Sequence, residues 1–444
     1  MRGASPLGVL RRPLERALLS VRVPVYRSSY ALILTTGANA VLGLGFWVLA
    51  ARLFSADVVG LGAGGISALQ LVATIGWVGL RFTLLRYLPV AGSHRAALVT
   101  WIYIAGMAVA SVACAVFVIA LADEFDVSYI TSSPWAIAAF AVSVAAWVVF
   151  SLQDAALVGL RRSMWVPLEN TAYGALKLVV IIPLAALGDP WVLLGAWAGC
   201  ALLLDVVVTF AMYRRWLGGE PAAPAPDTRK LSRFSVGHTG VAVLSWLPDF
   251  LVPLLVLRFL DADANAFYYA AWTIGSSIRL LAYHMSDAFT AEAAYDRAGL
   301  GGLLRAMGRL SLFVLVPVML VVALAAEQIL SLFGPDYAEE GATLLVLFAL
   351  SLIPFTVLTM VVAIDRVHER FGAAFAVTGL ATAVTIGLDW VLLPTQGITG
   401  AGLGWLGGQI VGAIAAVAGL ALRSPRLRQA GRPSPGRPAP EPAE

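Results

Sequence analysis

Charged residues are scarce in this chain. Only 13% of its 444 residues are charged, against roughly 25% in a soluble domain, and 60% are hydrophobic. There are two cysteines, Cys114 and Cys200, and four histidines. Both cysteines fall inside apolar segments, and no serine or cysteine has an evident histidine partner for nucleophilic catalysis. We therefore expect no metal site, no catalytic residue, no organic cofactor and no enzyme activity.

Long apolar runs occupy the rest of the chain, whose mean hydropathy is +0.85. A helix of about 20 apolar residues crosses the hydrocarbon core of a bilayer. These runs are apolar all round rather than alternating, which predicts helices and not barrel strands. The predicted fold is an all-α polytopic membrane protein with twelve transmembrane helices, at residues 30–51, 58–80, 97–121, 135–158, 166–187, 191–213, 235–257, 265–289, 308–333, 341–364, 371–393 and 398–422.

Basic and acidic residues alternate between successive loops. Arginine and lysine concentrate in the N-terminal arm, in every second loop and in the tail, whereas Asp123, Glu124 and Asp126 lie in an intervening loop. Because basic residues are enriched in cytoplasmic loops, both termini are expected in the cytoplasm. The net charge of +4 follows from this topology, and no nucleic-acid partner is expected. The first span is too long for a signal-peptide core, so no cleavable signal is expected.

The longest loop divides the chain near its middle. The predicted order is a basic cytoplasmic arm, an N-terminal six-helix lobe, a cytoplasmic linker, a C-terminal six-helix lobe and a disordered basic cytoplasmic tail, at residues 1–29, 30–213, 214–234, 235–422 and 423–444. Each lobe has an even number of spans, so both insert in the same orientation and are related by pseudo-twofold symmetry about the membrane normal. The segments 52–57 and 258–263 support a repeat, because each begins with arginine and ends with aspartate.

Several segments resemble the oligosaccharide and polysaccharide flippases of the MOP superfamily, which also contains the MATE transporters. The resemblance covers most of residues 30–422, and its motifs are specific mainly through their order and spacing. The segments that carry it are 39–43, 46–55, 59–61, 264–274, 333–337, 341–342, 397–398 and 400–404.

This resemblance implies two six-helix lobes around a central cavity that opens alternately to each side of the membrane. Flippases of this kind move lipid-linked, pyrophosphate-bearing sugars from the cytoplasmic to the outer leaflet without ATP. The expected partners are then a lipid-linked glycan, membrane lipids and a polysaccharide polymerase or glycosyltransferase. The expected location is the bacterial inner membrane, which the chain would cross many times as a monomer.

Four basic residues fall outside the cytoplasmic loops: Lys177, Arg279, Arg52 and Arg258. Charges within spans are costly and face a cavity or a partner. Lys177 and Arg279 lie midway along their spans, so we interpret them as cavity cations that hold a pyrophosphate. The alternative is a buried ion pair with Asp154, Asp205 or Glu169. Arg52 and Arg258 lie at outer helix ends near acids, where a structural cap competes with a substrate-binding role.

Acidic residues within spans suggest a second site. Asp249 lies between Pro248 and Pro253, and prolines kink a helix and free carbonyl groups. In the lipid II flippases, which the chain resembles, a cation site involves spans seven, eleven and twelve. Here span eleven offers Thr385 and Asp389 at i, i+4 spacing. The hypothesis is a Na⁺ or H⁺ coupling site at Asp249, Thr385 and Asp389, with Pro248 and Pro253 as a hinge. The alternatives for Asp249 and Asp389 are a pair that only fixes helix packing, or positions near the outer surface.

Three functions are compatible with the sequence. The first is an alternating-access flippase for a lipid-linked oligosaccharide or polysaccharide precursor. The second is a cation-coupled multidrug exporter of the MATE type, which requires an anionic cavity that Lys177 and Arg279 disfavour. The third is a membrane glycan polymerase or glycosyltransferase, which usually requires sizeable extramembrane loops that this chain lacks. The flippase is the favoured interpretation.

Overall fold

The computed structural model describes residues 24–218, 228–295, 300–368 and 370–430, and within these ranges it has helices and no strands. The long helices are α1 (Pro24–Leu53), α2 (Ala56–Tyr87), α3 (Arg95–Ala120), α4 (Pro134–Gly159), α5 (Trp165–Leu184), α6 (Pro190–Arg215), α7 (Thr228–Phe259), α8 (Ala262–Tyr295), α9 (Leu300–Leu324), α11 (Pro335–Val367) and α12 (Phe371–Ala430), with α10 (Ala326–Leu330) a short helix between α9 and α11.

Nine helices in the described ranges are long and apolar enough to cross a membrane. A tenth apolar segment, Asn39–Leu53, is shorter. Helical structure covers each of the twelve predicted ranges, apart from a short interruption between α9 and α10 and another after α10. The chain is therefore a multi-pass α-helical membrane protein. The count of twelve crossings and the cytoplasmic position of both termini stay predictions.

Helix α12 contains two of the predicted spans in one continuous segment. Its backbone leaves the helical region only at Gly397, where φ is 59° and ψ is −149°. A positive φ of this kind favours glycine, which has no Cβ to clash with the backbone. The predicted boundary between spans eleven and twelve, at residues 393–398, therefore coincides with a kink rather than with a loop.

Local sequence signals set several helix ends. Ser133 and Asp189 are N-cap residues whose side-chain oxygens accept hydrogen bonds from the backbone N–H groups of Ala136 (3.1 Å) and Trp191 (2.8 Å). In both helices the next residue is proline, at the first position where a missing N–H costs nothing. The starts of α4 and α6 were therefore well marked in the sequence.

The described residues form two compact units. The first comprises residues up to Ile274 together with Glu327–Ala342, and the second comprises Gly275–Ala326 and the residues from Thr343 onward. Both units include part of α8. The predicted lobe boundaries stay a prediction, and most of the predicted arm, the centre of the linker and the end of the tail lie outside the described residues.

Helix α2 is the most buried span of the first unit. It packs against α3, α4, α6 and α7, and its glycines allow these neighbours to come close. A Cβ added at Gly60 would collide with the carbonyl of Ala262. The same close approach lets the Asn265 side chain donate a 2.7 Å hydrogen bond to the backbone carbonyl oxygen of Gly60. Gly60 of α2 thus serves close helix packing.

Candidate functional site

Lys177 lies at the centre of an aromatic cluster in the first unit. It is buried on α5, with 4% of its surface exposed. Its Nζ atom lies 3.7 Å from the centre of the Trp197 ring, 4.7 Å from that of Tyr173 and 4.9 Å from that of Phe46. A cation over an aromatic face is attracted by the ring quadrupole, and the attraction strengthens when water is excluded. We call Lys177 with these three rings the lysine cage.

Three helices build the lysine cage. Tyr173 is four residues before Lys177 on α5, so both side chains lie on one helix face. Trp197 comes from α6 and Phe46 from α1. The Tyr173 hydroxyl donates a 3.2 Å hydrogen bond to the Trp197 carbonyl, which holds α5 against α6. The sequence indicated the buried lysine but missed the rings. Only Tyr173 could have been found from the sequence, because it lies four residues before Lys177 on the same helix, whereas the other two rings come from other helices.

The ion pair considered as the alternative for Lys177 does not form. Among the residues that the structure describes, Lys177 has no carboxylate partner within salt-bridge distance and no hydrogen bond. Asp154, Asp205 and Glu169 were the candidates, and none of them contacts it. The ammonium is therefore stabilised by π faces alone, and its hydrogen-bond donors stay available for an anion.

Arg279 has a similar environment in the second unit. Its side chain is buried on α8, with 5% of its surface exposed. The guanidinium carbon lies 4.2 Å from the centre of the Trp405 ring on α12 and 5.7 Å from that of Phe355 on α11. A guanidinium stacked on an indole has its N–H groups in the plane of the group, pointing away from the stacking axis. Each unit thus holds one mid-span cation against a tryptophan.

Arg52 and Arg258 have contacts of another kind. Arg52 donates to the carbonyls of Leu332 (2.9 Å) and Ser331 (2.8 Å), just beyond the end of α10. Arg258 forms an ion pair with Glu124 and donates to the Glu124 carbonyl at 3.1 Å. Both arginines are exposed, and both join a helix end to a neighbouring loop. These contacts favour the structural cap for both residues, and their substrate-binding role stays a prediction.

The predicted hinge lies in an unbroken helix. Pro248 and Pro253 are both inside α7, which runs from Thr228 to Phe259. Asp249 between them is buried, with 3% of its surface exposed. A hinge at these prolines stays a prediction.

Thr385 and Asp389 lie on one face of α12 in the second unit. Both are fully buried, and neither the Thr385 hydroxyl nor either carboxyl oxygen of Asp389 has a hydrogen-bond partner among the described residues. The part of α12 after Gly397 presents Gly404 and Gly408 to these two residues. An added Cβ would collide with Asp389 Oδ1 at Gly404 and with Thr385 Oγ1 at Gly408. Buried, unpartnered oxygens are costly unless a proton or a cation satisfies them. The donor set is therefore of the kind that holds a small cation.

Within the described ranges, no group of three or more histidine, cysteine, aspartate or glutamate side chains is arranged to hold a metal ion. Cys114 and Cys200 are free and buried in separate helices.

A model of the family described as "Polysaccharide biosynthesis protein" matches residues 25–288, more than half of the sequence. The chain belongs to this family. The match includes Phe46, Tyr173, Lys177 and Trp197, so the entire lysine cage lies in the part of the chain that the family model covers. No curated protein sequence matches the chain.

Solved structures show the same fold in transporters. A multidrug resistance MATE family transporter of the MOP superfamily, in an inward-facing conformation, matches with a TM-score of 0.69 and 15% identity, covering 89% of this chain and 96% of that one. The lipid II flippase MurJ, in an inward closed conformation, matches with a TM-score of 0.70 and 13% identity, covering 88% of this chain and 87% of that one. This family member thus has the fold of the MATE transporter and of MurJ, and the predicted resemblance to the polysaccharide biosynthesis proteins is confirmed.

Proposed function

We propose that the chain is an alternating-access flippase that moves a lipid-linked, pyrophosphate-bearing oligosaccharide or polysaccharide precursor across the bacterial inner membrane. Family membership and fold support a membrane transporter or flippase of polysaccharide biosynthesis. In this proposal the chain is a monomer with twelve spans in two six-helix lobes and no enzyme activity. A polymerase or glycosyltransferase uses the glycan that it delivers.

The lysine cage carries the proposal. A buried ammonium without a carboxylate partner attracts an anion, because its charge is neither screened by water nor neutralised by protein. A pyrophosphate supplies two negative groups linked to a lipid that remains in the bilayer. The surrounding rings offer flat apolar faces of the kind that pack against sugars. The cage therefore suits a ligand that combines an anion with a saccharide.

Arg279 is proposed as a second anion contact, argued within its own unit. Stacking on Trp405 fixes the plane of the guanidinium. Because the group is already ordered, it loses less entropy when two of its N–H groups bind a phosphate. An organic cation would be repelled by either residue. The two cations therefore favour an anionic substrate over the cationic drugs of the alternative exporter function.

Coupling to Na⁺ or H⁺ is proposed at Thr385 and Asp389 in the second unit, and a coupling role of Asp249 in the first unit stays a prediction. The support is the set of buried, unpartnered oxygens on α12. A carboxylate that binds a cation is neutralised by it and becomes stable in the low-dielectric interior. The same observation favours the alternative of a cation-coupled drug exporter, because both kinds of transporter can use an ion gradient. The substrate, not the coupling ion, therefore separates the two functions.

The test is a binding titration of the purified full-length protein in detergent with a lipid-linked pyrophosphate oligosaccharide, with an organic cation such as tetraphenylphosphonium in parallel. Saturable glycolipid binding that Lys177→Met weakens at least tenfold, and that Arg279→Gln weakens independently, is the expected result. The matched control is Arg305→Gln, a basic residue in the first turns of α9 outside both aromatic environments. Binding of the organic cation alone would instead establish the exporter.

A further inference from the structure

Helices α4, α5 and α6 bring three polar side chains together inside the first unit. Gln153 on α4 lies between Glu169 on α5 and Asp205 on α6. With its amide oriented so that nitrogen faces the acids, Gln153 donates to Glu169 Oε1 at 2.5 Å and to Asp205 Oδ1 at 3.3 Å. The amide oxygen then accepts from the Thr209 hydroxyl at 2.8 Å and from the Thr209 backbone N–H at 3.0 Å.

This orientation of the amide follows from the hydrogen-bond network. The opposite orientation would point a carbonyl oxygen at two carboxyl groups and an N–H at the Thr209 donor. Both hydrogens of the Gln153 amide are thus directed at the acids. Each acid still has one oxygen without a partner, Oε2 of Glu169 and Oδ2 of Asp205. We call these two residues the carboxyl pair.

The carboxyl pair is buried and has no cationic partner. Only 3% of the Glu169 surface and 4% of the Asp205 surface are exposed. In the part of the chain that the structure describes, neither residue forms an ion pair. Two ionised carboxylates that share one amide would repel each other in a medium that screens charge poorly. A buried carboxylate avoids this cost when a proton neutralises it.

Tyr103 on α3 gives a second, independent indication of a ligand. Its side chain is 6% exposed, and its hydroxyl is buried without a hydrogen-bond partner. The hydroxyl lies within electrostatic range of Asp205 and Glu169. An unpartnered buried hydroxyl is uncommon in a folded protein. The Tyr103 hydroxyl is thus a further buried, unpartnered polar group within electrostatic range of the carboxyl pair.

The remaining charged and titratable groups around the pair have their own partners. Asp154 on α4 accepts a 3.2 Å hydrogen bond from Asn170 and lies within range of Arg81 on α2. Tyr213 on α6 shares a 2.5 Å hydrogen bond with Thr100. Lys177 is two helical turns beyond Glu169 and is held in the lysine cage, and Tyr173 donates to the Trp197 carbonyl. None of these groups neutralises the carboxyl pair.

We propose that the carboxyl pair is a proton-binding site, in which Glu169 and Asp205 hold at least one proton at neutral pH. A proton fits better than a metal ion, because a metal ion is coordinated by oxygens and would be repelled by the N–H groups that Gln153 points at both acids. Binding one proton removes the repulsion within the pair and supplies a donor for an unpartnered oxygen. The site belongs to the first unit alone, and it holds whether or not the transported substrate is a glycan.

Infrared difference spectroscopy of the full-length protein in detergent tests this site. The expected result is a protonated-carboxyl C=O band at neutral pH that shifts in heavy water and disappears as the pH rises. Glu169→Gln and Asp205→Asn are each expected to diminish the band, and the double variant to abolish it. Glu340→Gln, which removes an exposed acid near the start of α11, is expected to leave the band unchanged.

Thermal unfolding provides a measurement that does not depend on band assignment. Unfolded carboxyl groups ionise near pH 4, whereas the folded pair keeps its proton at higher pH. Stability from the bound proton is therefore present at acidic pH and lost as the pH rises through the titration of the folded pair. The wild type is expected to lose stability over this range, and Glu169→Gln to lose less.

Three outcomes would overturn the proposal. The first is the absence of a protonated-carboxyl band sensitive to Glu169→Gln or Asp205→Asn. The second is removal of the band by Na⁺ at constant pH in the wild type but not in the double variant, which would make the pair a cation site. The third is identical loss of stability with pH in the wild type and in both single variants. Because all three measurements omit the glycolipid, they remain informative if the proposed function is wrong.

Discussion

The Lys177 ammonium lies 3.7 Å from the centre of the Trp197 ring, and α5 and α6 meet at this contact. In the second unit, the Arg279 guanidinium lies 4.2 Å from the Trp405 ring. Each of these two cations therefore lies over the ring of a tryptophan. An indole stabilises a cation without neutralising it, unlike a carboxylate. This arrangement allows a positive charge to persist within a span and still attract an anion.

The contact between Lys177 and Trp197 is measurable as a coupling free energy. In a double-mutant cycle of Lys177→Met and Trp197→Leu, the two changes are expected to be non-additive by about 1–2 kcal/mol, the value of a desolvated cation–π contact. The measurement is thermal or denaturant unfolding in detergent. The corresponding cycle with Val179→Ala, an exposed residue of the same helix, is expected to be additive. Additivity in the first cycle would show that the rings only pack around the lysine.

Gly404 is expected to tolerate no side chain. A Cβ there would meet Asp389 Oδ1 and would also lie 3.1 Å from the Asp389 backbone nitrogen, which cannot move alone. Gly404→Ala should therefore cost about 1–3 kcal/mol through overpacking. Gly387→Ala on the same helix, which has nothing within 4 Å, should instead stabilise the helix by up to about 1 kcal/mol. Equal melting temperatures for the two variants would contradict the close contact between the arms of α12.

Arg52 and Arg258 should differ in their contribution to stability. Arg52→Met removes two hydrogen bonds from a charged donor to the Ser331 and Leu332 carbonyls and should cost about 1.5–3 kcal/mol. Arg258→Met breaks an ion pair whose side chains are 30% and 58% exposed and one hydrogen bond to the Glu124 carbonyl, and should cost less, about 1–2 kcal/mol, because an exposed ion pair adds little. Both variants should keep glycolipid binding. Loss of binding by Arg258→Met at an unchanged melting temperature would instead give this arginine a substrate-binding role.

Asp389 should make stability depend on the coupling ion. A cation that binds only the folded protein raises its stability by about 2.7 kcal/mol at one hundred times its dissociation constant. Such stabilisation by Na⁺, or by acidic pH if the ion is a proton, should be lost in Asp389→Asn. Asp336→Asn at the exposed start of α11 should keep it. Ion-dependent stability that survives Asp389→Asn would place the coupling site elsewhere.

The sequence by itself determined the class of the fold and the existence of its buried cations. Runs that are apolar all round rather than alternating become helices where no water is present to pair with the backbone, and this physical constraint needs no tertiary information. The sequence also indicated that Lys177 and Arg279 are buried cations, because a charge midway along a span cannot reach an interface. Helix periodicity placed Tyr173 beside Lys177 and Asp389 beside Thr385, four residues apart.

Only the tertiary structure decided what these residues touch. Trp197 comes from the next helix and Phe46 from α1, and nothing in local spacing selects them over the other aromatic residues. Likewise Gln153, Glu169 and Asp205 lie on three helices, and the sequence predicted no shared site for them. Helix periodicity fixes the face on which a side chain lies, but the rotation of one helix against another depends on packing, such as the close approach permitted by Gly60 on α2. Helix packing thus brought the residues of the lysine cage together, and likewise those of the carboxyl pair.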